Sequence, residues 1–113
     1  MTVILLGRDL MMASRVLEAA TRAGVDARRV DGPADLPPPG AVRLLVVDWG
    51  DRDADWGDQI ATWIAAAPEA ARPRVLLVGP HVDLAAHAAA KAAGLGPMRA
   101  RSALVRDIDR LLT

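Results

Sequence analysis

Short, continuous apolar runs without polar alternation recur along the chain. Runs of this kind are typical of parallel strands that are covered on both faces of a sheet. Pro97 lies in the short last strand and indicates a sheet edge, where a missing N–H donor is tolerated. The predicted strands are TVILLG (2–7), AVRLLVVDWG (41–50), RPRVLLVG (72–79) and the short GPMRA (96–100), with VDARRV (25–30) as a weaker strand at a sheet edge.

Segments with helical periodicity alternate with these strands. Asp9 suits the start of the first helix and Gly24 its C-terminal cap. Further helices are predicted through residues 58–68 and, rich in alanine, through residues 81–94, while Ser102 is expected to cap an amphipathic final helix. The inner face of the first helix is predicted to consist of Leu10, Ala13, Val16, Leu17 and Ala20.

The stretch DGPADLPPPG (31–40) has room for one helical turn at most, because Pro37, Pro38 and Pro39 prevent a longer helix. Five alternations of strand and helix predict right-handed β-α-β units and a parallel sheet between helical layers. We therefore expect an α/β protein with a flavodoxin-like, doubly wound five-stranded parallel sheet in the order 2-1-3-4-5 and a truncated second helix. The whole chain, residues 1–113, is predicted to be a single domain.

Composition narrows the classes of partner. Among 113 residues, 14 basic and 14 acidic side chains give a formal charge of zero, so neither nucleic acid nor an anionic membrane is expected as the main partner. The absence of cysteine excludes disulfides, zinc–thiolate sites and thiol nucleophiles. The N-terminus lacks the pattern of a signal peptide, and no apolar run approaches the ~18 residues of a membrane span, so a cytoplasmic location is expected.

Ligands of doubly wound folds bind at the carboxyl ends of the strands, near the switch point of the sheet. The residues that the predicted topology places there are Gly7, Arg8, Asp9, Asp48, Trp49, Gly50, Gly79, Pro80, Arg101 and Ser102. Asp48 allows three interpretations: a buried carboxylate paired with Arg8 or Arg101, part of a small-ligand or phosphate pocket, or a phosphoacceptor. The pocket, in the second interpretation, would be built from Arg8, Asp48, Trp49 and Arg101.

Across almost its whole length the chain resembles the receiver domains of two-component response regulators. LLVVDWGD (44–51) is similar to the receiver strand that ends in the phosphoacceptor aspartate, which would be Asp48. VLLVGPHVDLAAHAAAKAAGLGPMRARSAL (75–104) is similar to the receiver segment from the fourth strand to the last helix, including the pair Ala93-Gly94. The resemblance implies a signalling module.

The chain departs from the receiver pattern at most of its signature positions. The two magnesium-binding acids of the family are matched by Gly7 and Arg8, with Asp9 one place further on, and a guanidinium there disfavours a carboxylate-bound magnesium ion. The phosphoryl-binding Ser/Thr is matched by Gly79 and the lysine by Arg101. Ser102 stands in place of the following proline and Met98 in place of the switch aromatic. We therefore expect a degenerate receiver-like module that is not an enzyme and uses no metal or cofactor.

Two further motifs have spacings that partly match metal-binding patterns. Asp51, Asp53 and Asp55 have the alternate spacing of a calcium loop, but the positions of its glycine and glutamate are occupied by Trp56 and Thr62. His81 and His87 are six residues apart and do not form an i, i+4 metal pair; local helix capping around Asp83 is the preferred interpretation. Trp49 and Trp56 are expected in the loop over the pocket, as a binding surface or a lid.

The alanine-rich helix predicts an interaction surface. Alanines on nearly every side would let another backbone approach closely, although alanine is also simply the best helix former. In receivers the corresponding helix, the last strand and the final helix form the usual dimer or partner interface. The resemblance therefore implies a protein partner or a homodimer through Ala85, Ala89, Ala90, Met98 and Arg99.

Overall fold

One parallel sheet organises the protein, which is seen in a computed structural model that describes residues 2–112. Its strands follow the order β2-β1-β3-β4-β5, and every neighbouring pair is parallel. The strands are β1 (Thr2–Leu6), β2 (Ala27–Val30), β3 (Val42–Asp48), β4 (Arg74–Val78) and β5 (Met98–Arg99). The α-helices are α1 (Leu10–Ala23), α2 (Trp56–Ala65), α3 (Leu84–Ala92) and α4 (Arg101–Leu112).

The predicted sheet order 2-1-3-4-5 is confirmed, and it is compatible with a flavodoxin-like fold. The described part of the chain contains four α-helices, where a complete fold of this type has five. Two 3₁₀ turns, Pro33–Asp35 and Pro39–Ala41, occupy the place of the second helix. This confirms the predicted truncation, since the prolines between and within these turns do not permit a longer helix.

Alternate residues of the sheet pack into two separate apolar layers. Val3 and Leu5 of β1 face α1 and α4, while Ile4 and Leu6 face α2 and α3. This alternation follows from the two-residue period of a strand. The layers differ in composition, because both fully buried tryptophans, Trp49 and Trp56, belong to the α2–α3 side.

The helix caps agree with the sequence at three positions. Asp9 Oδ1 accepts hydrogen bonds from the backbone N–H groups of Met11 and Met12, at 3.0 and 3.2 Å, and Gly24 ends α1 in the left-handed conformation with φ of 68°. Asp83 caps α3 by accepting from the backbone N–H of Ala86 at 3.0 Å.

Three local predictions were wrong. Leu10 is exposed, because a first-turn side chain leans towards the N-terminus, beyond the edge of the sheet. Met12 and Ala19 are buried instead.

Ser102 is the second residue of α4 and not its cap. The helix starts shortly after the two-residue strand β5, and the Ala100 carbonyl accepts from the N–H groups of Ala103 and Leu104. Helix α2 begins at Trp56, two residues earlier than expected.

Within residues 2–112, no helix combines the length and the apolar character that crossing a lipid bilayer requires.

Candidate functional site

Asp48 lies at the centre of the carboxyl edge of the sheet, as the last residue of β3. It aligns with Val78 of β4, and the preceding Val47 aligns with Leu6 of β1. With 1% of its surface exposed, Asp48 is the one charged residue that is fully buried in the described chain. A buried carboxylate is costly without a partner, so its surroundings decide what the site can do.

Arg101 supplies the partner of this carboxylate. As the first residue of α4 it follows β5 directly, and its Nη2 donates to Asp48 Oδ1 at 3.1 Å. Its Nη1 lies 3.5 Å from Oδ2 of Asp9, the residue that caps α1. The Arg101 side chain therefore bridges the start of two helices and the end of β3 while 48% of it stays exposed.

The two carboxylate oxygens of Asp48 differ in their hydrogen bonding. Oδ2 is buried and makes no hydrogen bond with any group of residues 2–112. Burial raises the pKa of Asp48 above its usual value of 3.8, Arg101 opposes that shift, and the charges of Asp51 and Asp9 add to it. The site thus holds a carboxylate that is only half satisfied.

Glycine 7 fixes how closely β1 approaches this carboxylate. A Cβ atom at Gly7 would lie 2.6 Å from the Cβ of Asp48, a separation that packed atoms do not adopt. Gly79 is similarly confined, since a Cβ there would lie 2.7 Å from Met98 Sδ and 3.0 Å from the Gly50 nitrogen. The hydroxyl-bearing residue of the receiver pattern would not fit at position 79 without movement of its neighbours.

Arg8 does not pair with Asp48, contrary to one of the predicted pairings. Its Nη2 donates to Asp53 Oδ2 at 3.0 Å, its Nη1 lies 3.8 Å from Asp51 Oδ2, and its guanidinium lies 5.5 Å from the centroid of the Trp56 ring. The acidic loop after β3 therefore draws Arg8 outward, away from the buried carboxylate.

The tryptophans are core residues and not a lid. Trp49 and Trp56 are each 1% exposed, and Trp49 Nε1 donates to the Ala86 carbonyl at 2.9 Å. Arg52 covers the outer side of Trp49, 4.9 Å from the ring centroid. Of the four residues of the predicted pocket, Asp48 and Arg101 form an ion pair, whereas Arg8 pairs with Asp53 and Trp49 packs in the core.

Nowhere among the described residues do three histidine, aspartate or glutamate side chains lie close enough to hold a metal ion. In the loop with calcium-like spacing, Asp51 and Asp53 face Arg8, and Asp55 accepts from Gln59 at 3.0 Å.

The predicted interface residues divide between surface and core. Ala85 is exposed, and Ala89 and Arg99 are half-buried. Ala90 and Met98 are buried and cannot form a surface: Ala90 shares the inner face of α3 with Ala86, four residues earlier, and Met98 packs in the α2–α3 layer.

Sequence reasoning missed a set of exposed apolar side chains around this edge of the sheet. They lie at the start of α1 and α3 and in the second turn of α4: Leu10, Met11, Val82, Leu84 and Val105. A sequence signal existed for most of them. Leu10, Met11, Val82 and Leu84 lie within two residues of the N-caps Asp9 and Asp83, and side chains there project beyond the sheet.

Compared with known proteins, the chain matches no protein-family model and no curated sequence.

Proposed function

We propose that this protein is a receiver-like signalling and interaction module that acts through protein contacts and not through metal-dependent phosphotransfer. One observation carries the proposal. At the edge of the sheet where such folds bind ligands, the carboxylate of Asp48 is buried, while large apolar side chains at the same edge are exposed to solvent. Asp48 is 1% exposed, whereas Leu10, Met11, Val82, Leu84 and Val105 are the exposed large apolar residues of the described chain.

The closed carboxylate argues against phosphoryl transfer on chemical grounds. A phosphoryl group must approach an aspartate oxygen in line and needs compensation of its developing charge. Around Asp48, Oδ1 accepts from Arg101 and Oδ2 is buried, so neither oxygen is presented to solvent. Transfer would require Arg101 and the adjoining backbone to move.

The contact surface that we propose comprises α3, β5 and α4. The buried residues Ala90 and Met98 are not part of it. Leu84, Ala85 and Ala88 are exposed on α3, with Lys91 further along the same helix and Arg99 beside it on β5. An apolar centre with charged groups at its rim is the usual composition of a protein interface. We propose that it joins two copies of this chain or one copy and a similar domain.

Sedimentation of the wild type and two alanine variants tests this surface. The wild type should form dimers at high micromolar concentration, and Ala85→Glu should convert them to monomers because a buried, unpaired charge is costly in an interface. Ala65→Glu is the matched control, since Ala65 is an exposed helical alanine on α2 and should leave the dimer intact. A monomeric wild type, or equal effects of the two variants, would contradict the homodimer.

A second measurement addresses the phosphotransfer half of the proposal. Incubation with magnesium and beryllofluoride or acetyl phosphate should leave the protein unmodified in intact mass and in the NMR signals of Asp48. A stoichiometric adduct on Asp48 would contradict the proposal that the protein acts without phosphotransfer. The sedimentation experiment would still test the proposed contact surface separately.

A further inference from the structure

Strand β2 forms an outer edge of the sheet, and in the described chain it pairs with β1 alone. Val3 of β1 aligns with Ala27, and its N–H donates to the Asp26 carbonyl at 2.9 Å. Because the backbone groups of successive strand residues point to opposite sides, the N–H and C=O of Ala27 and Arg29 point away from β1, to the open edge. Groups of this kind can hydrogen-bond a further strand.

Two charged side chains flank Ala27 on one face of this edge. Asp26 and Arg28 are exposed, and neither side chain forms an ion pair or a hydrogen bond within residues 2–112. Arg28 points to the same side as Val30, which packs against the α2–α3 layer, whereas Ala27 packs on the side of α1 and α4. Both charges therefore project from the α2–α3 face of the sheet.

The short connection between β2 and β3 leaves this face open. A right-handed return from β2 to β3 passes over the side of the sheet opposite α1, where a complete fold of this type places its second helix. Here two 3₁₀ turns, Pro33–Asp35 and Pro39–Ala41, take the place of that helix. A recess of about 310 Å³ remains at the start of β1 and β2, lined by Thr2, Asp26, Ala27 and Arg28.

The charges around Ala27 are self-complementary in an antiparallel pair of β2 strands. When Ala27 lies opposite Ala27 of a second copy, the outward N–H and C=O groups of the two residues form two hydrogen bonds. Asp26 of each copy then lies directly opposite Arg28 of the other, on the same face of the sheet. The nearest registers that keep the hydrogen bonds bring Arg28 opposite Arg28 or Asp26 opposite Asp26, and like charges in these positions are destabilising.

From this geometry we infer that β2 pairs with β2 of a second copy, antiparallel and centred on Ala27, and so joins two five-stranded sheets into one continuous sheet. The contact lies at the edge of the sheet opposite β5 and is independent of the contact surface of α3, β5 and α4. A four-residue strand buries little area, so we expect a dissociation constant in the millimolar range. Association of this strength does not contribute to sedimentation at micromolar concentration.

Two variants with complementary charges test the register. They are made in the Ala85→Glu background, and association is followed by translational diffusion and amide chemical shifts in NMR between about 0.1 and 2 mM. Asp26→Arg and Arg28→Asp each place like charges opposite each other, so each variant alone should associate about tenfold more weakly. An equimolar mixture of the two restores both ion pairs between unlike copies and should associate as the parent protein does.

Amide exchange and intermolecular NOEs test the location. Exchange of the Ala27 amide should slow as the protein concentration rises, because this N–H points to the open edge. The Arg28 amide already faces β1 and should not change. In a mixture of labelled and unlabelled copies, an intermolecular NOE between the Hα atoms of Asp26 and Arg28 identifies antiparallel pairing in the proposed register.

Arg74→Asp is the matched control. Arg74 is another exposed strand arginine, but it lies on β4 between two neighbouring strands, so this variant should associate as the parent does. Circular dichroism of every variant shows whether the fold is intact. The inference is overturned if the mixture fails to associate, or if Arg74→Asp weakens association as much as Arg28→Asp. A parent protein that remains monomeric at about 2 mM would also overturn it, and Asp26 and Arg28 would then protect the edge from pairing.

Discussion

Two arginines at the same edge of the sheet illustrate how position decides the role of an ion pair. Arg101 reaches inward to Asp48, which is 1% exposed. Arg8 turns outward to Asp53, and these two side chains are 47% and 57% exposed. Both pairs join a guanidinium to a carboxylate at 3.0–3.1 Å, yet one neutralises a charge inside the protein and the other lies in solvent.

The difference comes from the partner and not from the arginine. Asp48 is still part of β3, where the flanking strands exclude water, whereas Asp51 and Asp53 come after the strand has ended. Water screens the outer pair, so it contributes little to stability. For the inner pair, attraction is stronger but must offset the loss of hydration of a carboxylate that has one unpartnered oxygen.

Gly7→Ala should show the largest effect, because it tests how tightly the inner region is packed. The added methyl group would meet Asp48 Cβ at 2.6 Å, and relieving that overlap requires movement of β1 against β3. We expect the free energy of unfolding to fall by about 2–3 kcal/mol. Denaturant unfolding measures it.

Gly40→Ala is the matched control, since an added Cβ at Gly40 meets no atom within 4 Å. It should change the free energy of unfolding by less than about 0.5 kcal/mol. Equal stability of the two variants would mean that the carboxyl edge is loosely packed and that Asp48 is accessible.

Double-mutant cycles compare the two ion pairs directly. For Asp48→Ala with Arg101→Ala we expect a coupling free energy of about 1 kcal/mol, reduced from that of a fully buried pair because Arg101 is half exposed. For Arg8→Ala with Asp53→Ala we expect about 0.2–0.5 kcal/mol. Chemical denaturation of each single and double variant gives both values. A larger coupling for the outer pair would reverse the comparison.

Much of the framework could be predicted from sequence, because it depends on local patterns. Continuous apolar runs predict β1, β3 and β4, the prolines at 37–39 predict the loss of the second helix, and Asp9, Gly24 and Asp83 are recognisable at helix ends. The sequence does not decide which of two arginines pairs with Asp48, because that depends on which side chain reaches the strand end in three dimensions.

The burial of the two tryptophans and of individual alanines in α3 could not be predicted either, because it also depends on packing in three dimensions. Trp49 and Trp56 follow strand β3 in an acidic, polar stretch, and only the packing of α2 and α3 shows that this stretch folds inward. In the alanine-rich helix every position has nearly the same side chain, so the sequence has no polar face to distinguish buried Ala90 from exposed Ala85. A uniform pattern carries little information about orientation.

The pH dependence of stability should show the smallest effect. The direction in which stability changes with pH should differ between the buried carboxylate of Asp48 and an exposed carboxylate. Because the pKa of Asp48 is raised in the folded protein, the folded state binds more protons there than the unfolded state. Its contribution to stability is fully present below the unfolded pKa, near 3.8, and is lost as pH rises through the folded pKa. Asp48→Asn removes this dependence, so the variant should gain stability relative to wild type as pH rises from about 4 towards neutrality, by on the order of 1 kcal/mol or less.

Asp31→Asn should give the opposite slope in the same measurement. Asp31 is paired with Arg29 at the surface, and the hydrogen bond and charge of Arg29 lower its pKa. That contribution is present above the unfolded pKa and is lost as pH falls, so removing it costs most at neutral pH. Urea unfolding of wild type and both variants at several pH values gives the two differences, in which all other titrating groups cancel. Parallel slopes for the two variants would mean that Asp48 is hydrated like a surface carboxylate, and the contrast between the inner and outer regions would then be lost.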